Sequence, residues 1–340
     1  MSIDIELSRD TGTSEWQIRQ VSHSEWRGYW VDCADQNLLQ SWEYGEAKKQ
    51  SDGWIPHRLV VFNQIDKPIA LVQVLTRSLP ILGGIARINR GPLLLNGSAN
   101  EDVQLKIDTL HLLMSEARRQ RWWIVQIAPE ICDSEYVRLG LKKLGFRKQA
   151  NPAWASSLID LSLSVDELHS RLNRRWKRAL LKALKFGVIV KKSELTDARL
   201  AHVLKSYGDL QKRNKFVGIN SKLIREMSKI KSVDWDFNLF VAELVFEGVP
   251  NEEVGYRVTI RSGHIVLDFM VSTSEKGREV EANSALYWHA ILQAQESGCR
   301  WFDVGGLSES TPKGIANFKQ GLNGTPYQLI GEWRKWFLKH

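Results

Sequence analysis

One stretch of this chain is written twice. Leu110-His-Leu-Leu-Met-Ser-Glu-Ala117 with Trp122-Trp-Ile-Val-Gln126 lies over Tyr287-Trp-His-Ala-Ile-Leu-Gln-Ala294 with Cys299-Arg-Trp-Phe-Asp303 at a constant offset of 177 residues, Ala117 against Ala294 and Gln126 against Asp303. Each copy sets apolar residues at helical spacing ahead of a short apolar run, so each reads as helix, turn, strand. An unchanged helix-to-strand loop is what a single unit used twice leaves behind. A helix before a strand is also the commonest event in an α/β chain, so coincidence is the competing explanation. Duplication implies two similar α/β lobes, and 340 residues suffice for two cores of the usual size.

The remaining pattern fills both lobes. The spacing predicts a strand near 15–21, a helix over 23–33, and a second helix from Ser41 as N-cap to Gly53. Strands at 58–62, 69–75 and 84–89 follow, broken by Pro68, Pro80, Gly83 and Pro92. A helix over 101–120, a strand at 122–127, a helix over 134–144 and a strand at 155–163 complete the first half. In the second half, helices over 165–186, 195–213 and 219–231 precede strands at 238–243, 253–261 and 264–271. A helix over 279–297 and a strand at 300–304 end the pattern.

Composition excludes several classes. No run approaches the roughly 18–20 apolar residues of a membrane helix, and the first residues lack a basic, apolar signal, so a cytoplasmic protein is expected. Cys33, Cys132 and Cys299 are scattered and odd in number, which reads as free thiols rather than disulfides or a zinc site. The formal charge of +8 suits a polyanionic partner without requiring one. The phosphate-cradling glycine loops of nucleotide-binding enzymes and the serine and zinc hydrolase motifs are missing. So is the Q/R-x-x-G-x-G/A turn that holds acetyl-CoA; 273–280 lacks its spacing.

Four segments stand above pattern: Gln40-Ser-Trp-Glu-Tyr-Gly-Glu-Ala-Lys48, Ala86-Arg-Ile-Asn-Arg-Gly-Pro92, Leu210-Gln-Lys-Arg-Asn-Lys-Phe216, and the block from Gly298 to Gly324. In that order they resemble the Fem family (FemA, FemB, FemX), over about residues 15–331. The departures are Leu322-Asn323-Gly324, where F-G-G is usual, and Tyr44, where tryptophan is common. The resemblance implies tandem lobes of the GNAT superfold. Each would be a mixed, mostly antiparallel sheet flanked by helices, without the long helical hairpin of some members. The first lobe would take 1–157 plus about 328–340, where the C-terminal segment returns as an added strand, and the second 158–327. It further implies an aminoacyltransferase that moves an amino acid from aminoacyl-tRNA to an amine of a peptidoglycan precursor. No metal or cofactor is needed, because the ester is already activated.

Residue roles carry over motif by motif. Phe318 and Lys319 of Asn317-Phe-Lys-Gln-Gly321 fall at the reaction centre, where a fixed cation would stabilise the oxyanion that forms when an amine attacks an ester. A surface lysine beside a buried phenylalanine is the bland alternative. Lys48 and Arg213 are expected to grip the acceptor's diphosphate, or else are solvated helix-end cations. Asp303, Gly305 and Gly306 close the last strand of the second lobe, where α/β clefts hold ligands; for Asp303 a structural bond to loop amides is the favoured alternative. Tyr256 and Arg257 would line the same cleft or pack the sheet.

From Arg171 to Gly187 the chain carries seven cations and no acid. Arg174, Arg175 and Arg178 on this stripe are open to three uses: tRNA phosphates, the anionic inner membrane face, or plain solvent. Three other functions remain compatible with the sequence: an N-acyltransferase using acyl-CoA, a tRNA-dependent ligase making a small peptide, and a pair of binding lobes without chemistry.

Overall fold

The computed structural model describes residues 16–79, 83–95, 102–214, 218–246, 249–309 and 311–337. These form a mixed α/β chain with two sheets flanked by helices, and no long helical hairpin occurs among the described residues. Two compact units are present: the described residues of 1–45, 53–151 and 329–340, and those of 46–52 and 152–328.

In chain order the elements are β1 (Gln17–Gln20), α1 (His23–Trp30), α2 (Trp42–Asp52), β2 (Ile55–Phe62), β3 (Pro68–Leu79), β4 (Gly83–Asn89) and β5 (Leu93–Leu94). Next come α3 (Val103–Arg119), β6 (Trp122–Ala128), α4 (Glu135–Lys143), β7 (Arg147–Lys148) and β8 (Ala155–Asp160). Then follow α5 (Val165–Arg171), α6 (Arg174–Lys185), β9 (Val188–Ser193), α7 (Asp197–Asn214), α8 (Ser221–Lys229), β10 (Trp235–Phe246), β11 (Val249–Ser262) and β12 (Ile265–Thr273). The chain ends with α9 (Glu275–Glu279), α10 (Ala282–Glu296), β13 (Trp301–Asp303), α11 (Lys313–Gln320), β14 (Thr325–Gln328) and β15 (Trp333–Trp336).

Helix starts follow local chemistry. Ser22 with Glu25 and Ser164 with Glu167 form reciprocal capping boxes that satisfy the first free amides of α1 and α5. Two expected helices are each split. The run over 165–186 breaks at Leu172, whose ψ of 137° is extended, and Asn173 restarts it as N-cap, accepting from the Trp176 amide at 2.9 Å. The run over 279–297 breaks at Glu281, a left-handed residue at φ 57°. Strands β9 and β14, on the outer positions of the second sheet, escaped the sequence pattern.

The first sheet runs β1-β2-β3-β4-β6-β15-β7, with β5 on β3. The second runs β14-β8-β13-β12-β11-β10-β9. In each, one helix joins two parallel strands: β4 through α3 to β6, and β12 through α10 to β13. The strand after the helix then has an antiparallel neighbour on its other side, β15 beside β6 and β8 beside β13. The repeated units thus occupy the same sheet context. The 177 offset also carries buried onto buried. Leu110, Leu113, Met114, Ala117, Trp122 and Val125 are core residues of the first unit, and Tyr287, Ala290, Ile291, Ala294, Cys299 and Phe302 of the second.

Two of the four motifs serve the first unit as structure. The buried Gln40 amide donates to the Asn89 carbonyl at 2.6 Å and accepts from the Gln73 amide at 2.7 Å. It thereby pins the end of β4 just before Arg90-Gly91-Pro92. Gly91 must lack a side chain there, since a Cβ would lie 2.7 Å from the Gln40 side chain.

Candidate active site

In the second sheet β12 and β13 pair only from Ile265↔Trp301 to Leu267↔Asp303. Beyond that point β12 runs on to Thr273, whereas β13 keeps only its β8 neighbour, the Val304 amide donating to the Ser157 carbonyl at 3.0 Å and the Gly305 amide to Asp303 Oδ1 at 2.9 Å. The parting of two parallel strands leaves a wedge at Asp268, and Lys319 enters it.

Phe318 and Lys319 lie in the last turn of α11. The Phe318 ring packs on Trp176 and Tyr287, at centroid distances of 4.8 and 5.9 Å, and its carbonyl accepts from Trp176 Nε1 at 2.7 Å. Helical rotation then aims the next side chain elsewhere: Lys319 Nζ sits 3.9 Å from Asp268 Oδ2. That is an ion pair but too long for a hydrogen bond. Among the described residues Nζ makes none, so its donors remain open to a substrate oxygen. Gly305 makes room. At φ +73° it suits glycine, and a Cβ there would stand 2.8 Å from the Asp268 carbonyl and 3.2 Å from Lys319 Nζ. Gly321 ends the helix where a Cβ would strike Asn173 and Trp176 at 2.6 and 2.7 Å.

Behind the ammonium lies a buried charge network that no sequence motif announces. Arg257, 1% exposed, donates to Asp268 Oδ1 and, at 2.7 Å, to Asn283 Oδ1. Its guanidinium carbon stands 3.9 Å above the Tyr287 ring. Arg257 thus holds one carboxylate oxygen while the other faces Lys319. Burial pushes the Lys319 ammonium below the ordinary lysine range, opposed by Asp268, reinforced by Arg257 and opposed again by Asp303. Burial likewise pushes the Tyr287 phenol up. The available signal for Asp268 was a lone carboxylate in a largely apolar strand, two residues after buried Val266, since buried polar residues are the informative ones.

The other expected residues fall as follows. Asp303 is 1% exposed and its oxygens are taken: Oδ1 by Ser156 and by the Gly305 amide at 2.9 Å, Oδ2 by Tyr327 at 2.6 Å. It therefore shapes the Gly305 turn instead of facing a ligand. Gly306 lies against Trp154. Tyr256 neighbours Arg257 on β11 and so faces the opposite side of the sheet, where it donates to the Val203 carbonyl at 3.0 Å; burial pushes its phenol up to about 12. Lys48 is half-buried and paired with Asp52 one turn on. Arg213 is in the last turn of α7, its side chain outside the described residues. Arg174, Arg175 and Arg178 are exposed on α6. No helix among the described residues is long and apolar enough to cross a membrane.

The fold and this motif block both have counterparts. FemX matches with a TM-score of 0.76 at 16% identity, over 94% of this chain and 97% of FemX. A tandem GNAT protein from the clavulanic acid biosynthesis pathway matches at 0.55 and 13% identity, over 96% and 100% of the two chains. L-PGS from Bacillus licheniformis matches at 0.53 and 10% identity, over 95% and 94%. No curated protein matches in sequence. The FemAB family model matches residues 220–339, which contain Arg257, Asp268, Gly305, Phe318 and Lys319. The C-terminal third of the chain thus matches the FemAB family model, and nearly the whole chain shares the fold of FemX.

Proposed function

We propose that this Fem-type transferase moves an amino acid from aminoacyl-tRNA to an amine of a peptidoglycan precursor, with Lys319 as the cation that meets the developing oxyanion. The observation that carries the reading is an ammonium paired with Asp268 at the parting of β12 and β13, which makes no hydrogen bond among the described residues. The acceptor amine's lone pair bonds to the ester carbonyl carbon, and the carbonyl oxygen takes the negative charge. Collapse expels the ribose oxygen of the tRNA, which gains the proton that the amine loses. A cation fixed beside that oxygen lowers the barrier without reorganising at the moment of reaction. The ester is already activated, so positioning supplies much of the rest and no metal or nucleotide cofactor is required.

Turnover assays decide it. The purified chain is offered charged tRNA or acyl-CoA as donor, and nucleotide-linked or lipid-linked precursor as acceptor. Transfer from charged tRNA alone, to a precursor amine, is the expected result. Transfer from acyl-CoA alone would make the chain an N-acyltransferase of another kind. A tRNA-dependent product on a small peptide would keep the donor and replace the acceptor. No turnover with either donor, but retained tRNA binding, would leave binding lobes without chemistry.

A further inference from the structure

The basic stripe on α6 was open to three uses on sequence alone, and side-chain placement separates them. Trp176, Leu180 and Ala183 are the buried face of the helix. Leu181 and Leu184 are not part of it: they are 54% and 60% exposed, and Phe186, at the C-cap, is 48% exposed. Leu181 stands about 140° round the helix from Trp176, well off the core. Its neighbours at three and four residues' distance are Lys177, Arg178, Leu184 and Lys185, an exposed leucine ringed by three cations.

Those cations are also unneutralised. Arg174, Arg175, Lys177, Arg178, Lys182 and Lys185 make no ion pair among the described residues, whereas exposed Arg119, Arg138 and Lys229 each hold a carboxylate. A helix meant only for solvent has no use for large apolar groups on its outer face. One meant only for a phosphate backbone gains little from leucines there. A helix lying in the headgroup layer of an anionic membrane uses both, sinking its apolar side chains while its cations meet lipid phosphates.

We propose that the outer face of α6, with Leu181 and Leu184 as the inserting residues, docks this protein on an anionic lipid surface. The inference does not depend on the transfer reaction, so each can fail alone. The test is sedimentation of the full chain with vesicles of phosphatidylglycerol and phosphatidylcholine against vesicles of phosphatidylcholine only, with tRNA binding measured in parallel. The variants are Leu181→Gln/Leu184→Gln and Arg174→Gln/Arg175→Gln/Arg178→Gln.

The wild type should bind the anionic vesicles and not the neutral ones. The apolar double variant should lose on the order of tenfold or more in vesicle affinity, with its melting temperature and tRNA affinity kept, because these side chains are exposed. The arginine triple variant should lose vesicle binding and flatten its salt dependence. Failure of the wild type to bind anionic vesicles would overturn the proposal. So would an apolar double variant that binds vesicles as the wild type does, or one that loses tRNA affinity instead, which would assign the face to RNA.

Discussion

β4 and β6 in the first unit and β12 and β13 in the second are equivalent parallel pairs joined through equivalent helices, and they end differently. The first pair stays zipped from Gly84↔Trp122 to Asn89↔Ala128, and the Arg90 amide extends it to the Ala128 carbonyl at 2.6 Å. The charges at that closed end satisfy one another: Arg90 forks onto Glu130, and buried Lys106 donates to Asp35 at 3.0 Å and to the Glu130 carbonyl at 2.8 Å. The second pair parts after three residues, and Lys319 beside it makes no hydrogen bond among the described residues. Two offset-matched positions changed with it. Leu110 corresponds to Tyr287, on which Arg257 stacks, and Gln126 to Asp303, which holds the Gly305 turn. The same scaffold closes over its charges in one copy and leaves Lys319 at an open strand end in the other, and the difference is how far two strands stay paired.

The largest expected effect is at the open end. Lys319→Ala should lower kcat on the order of 100- to 1000-fold, about 3–4 kcal/mol, with little change in either KM, the pattern of an interaction made in the transition state. Lys319→Met should be nearly as damaged. A folded Lys319→Met enzyme with near-normal kcat would leave the lysine a packing role and remove the functional side of the comparison. Gly305→Ala should follow, at on the order of 10- to 100-fold in kcat and about 1–3 kcal/mol of stability, since it forces a left-handed alanine against Asp268 and Lys319. Wild-type kcat and melting temperature would mean that the wedge tolerates a methyl group.

At the closed end, Glu130→Gln should cost about 1–3 kcal/mol of stability by thermal or denaturant unfolding and leave kcat unchanged. A kcat effect equal to that of Lys319→Ala would erase the division of labour between the units. The pH dependence sharpens the contrast. Because burial lowers the Lys319 pKa, its charge and hence kcat should fall on an alkaline limb below the usual lysine value of 10.5, a limb missing in Lys319→Met. The same group's contribution to stability has the opposite sense: unfavourable at neutral pH, it is relieved as pH rises from the folded pKa towards 10.5, where the unfolded chain still binds the proton. Smallest is Tyr287→Phe, which gives up a 3.3 Å hydrogen bond to the Val304 carbonyl and should cost about 0.5–1.5 kcal/mol.

The duplicated unit was legible because helix period, loop length and strand all repeat, and the core positions of α3 and α10 follow from spacing alone. Phe318 and Lys319 were legible through the motif. Asp268 was not, although it sat in view as a lone carboxylate in an apolar strand, because its partner Arg257 comes from the next strand and strand register is not written locally. Tyr256 shows the converse. It adjoins Arg257 in sequence, and the period of two sends it to the other face of the sheet, onto α7. The break at Leu172-Asn173 was hidden by an unbroken apolar spacing, over which the capping preference of one asparagine prevailed.

β15, the last strand, lies between β6 and β7 and pairs with both, Trp333 opposite Ile127 and Lys148. For a chain made from its N-terminus this sets an order of events. The first unit's sheet lacks an inner strand until roughly two hundred further residues have been synthesised, by which time the second unit is nearly all available to fold. The half that begins first is the half that finishes last. Until then β6 and β7 offer unpaired backbone edges to whatever is nearby.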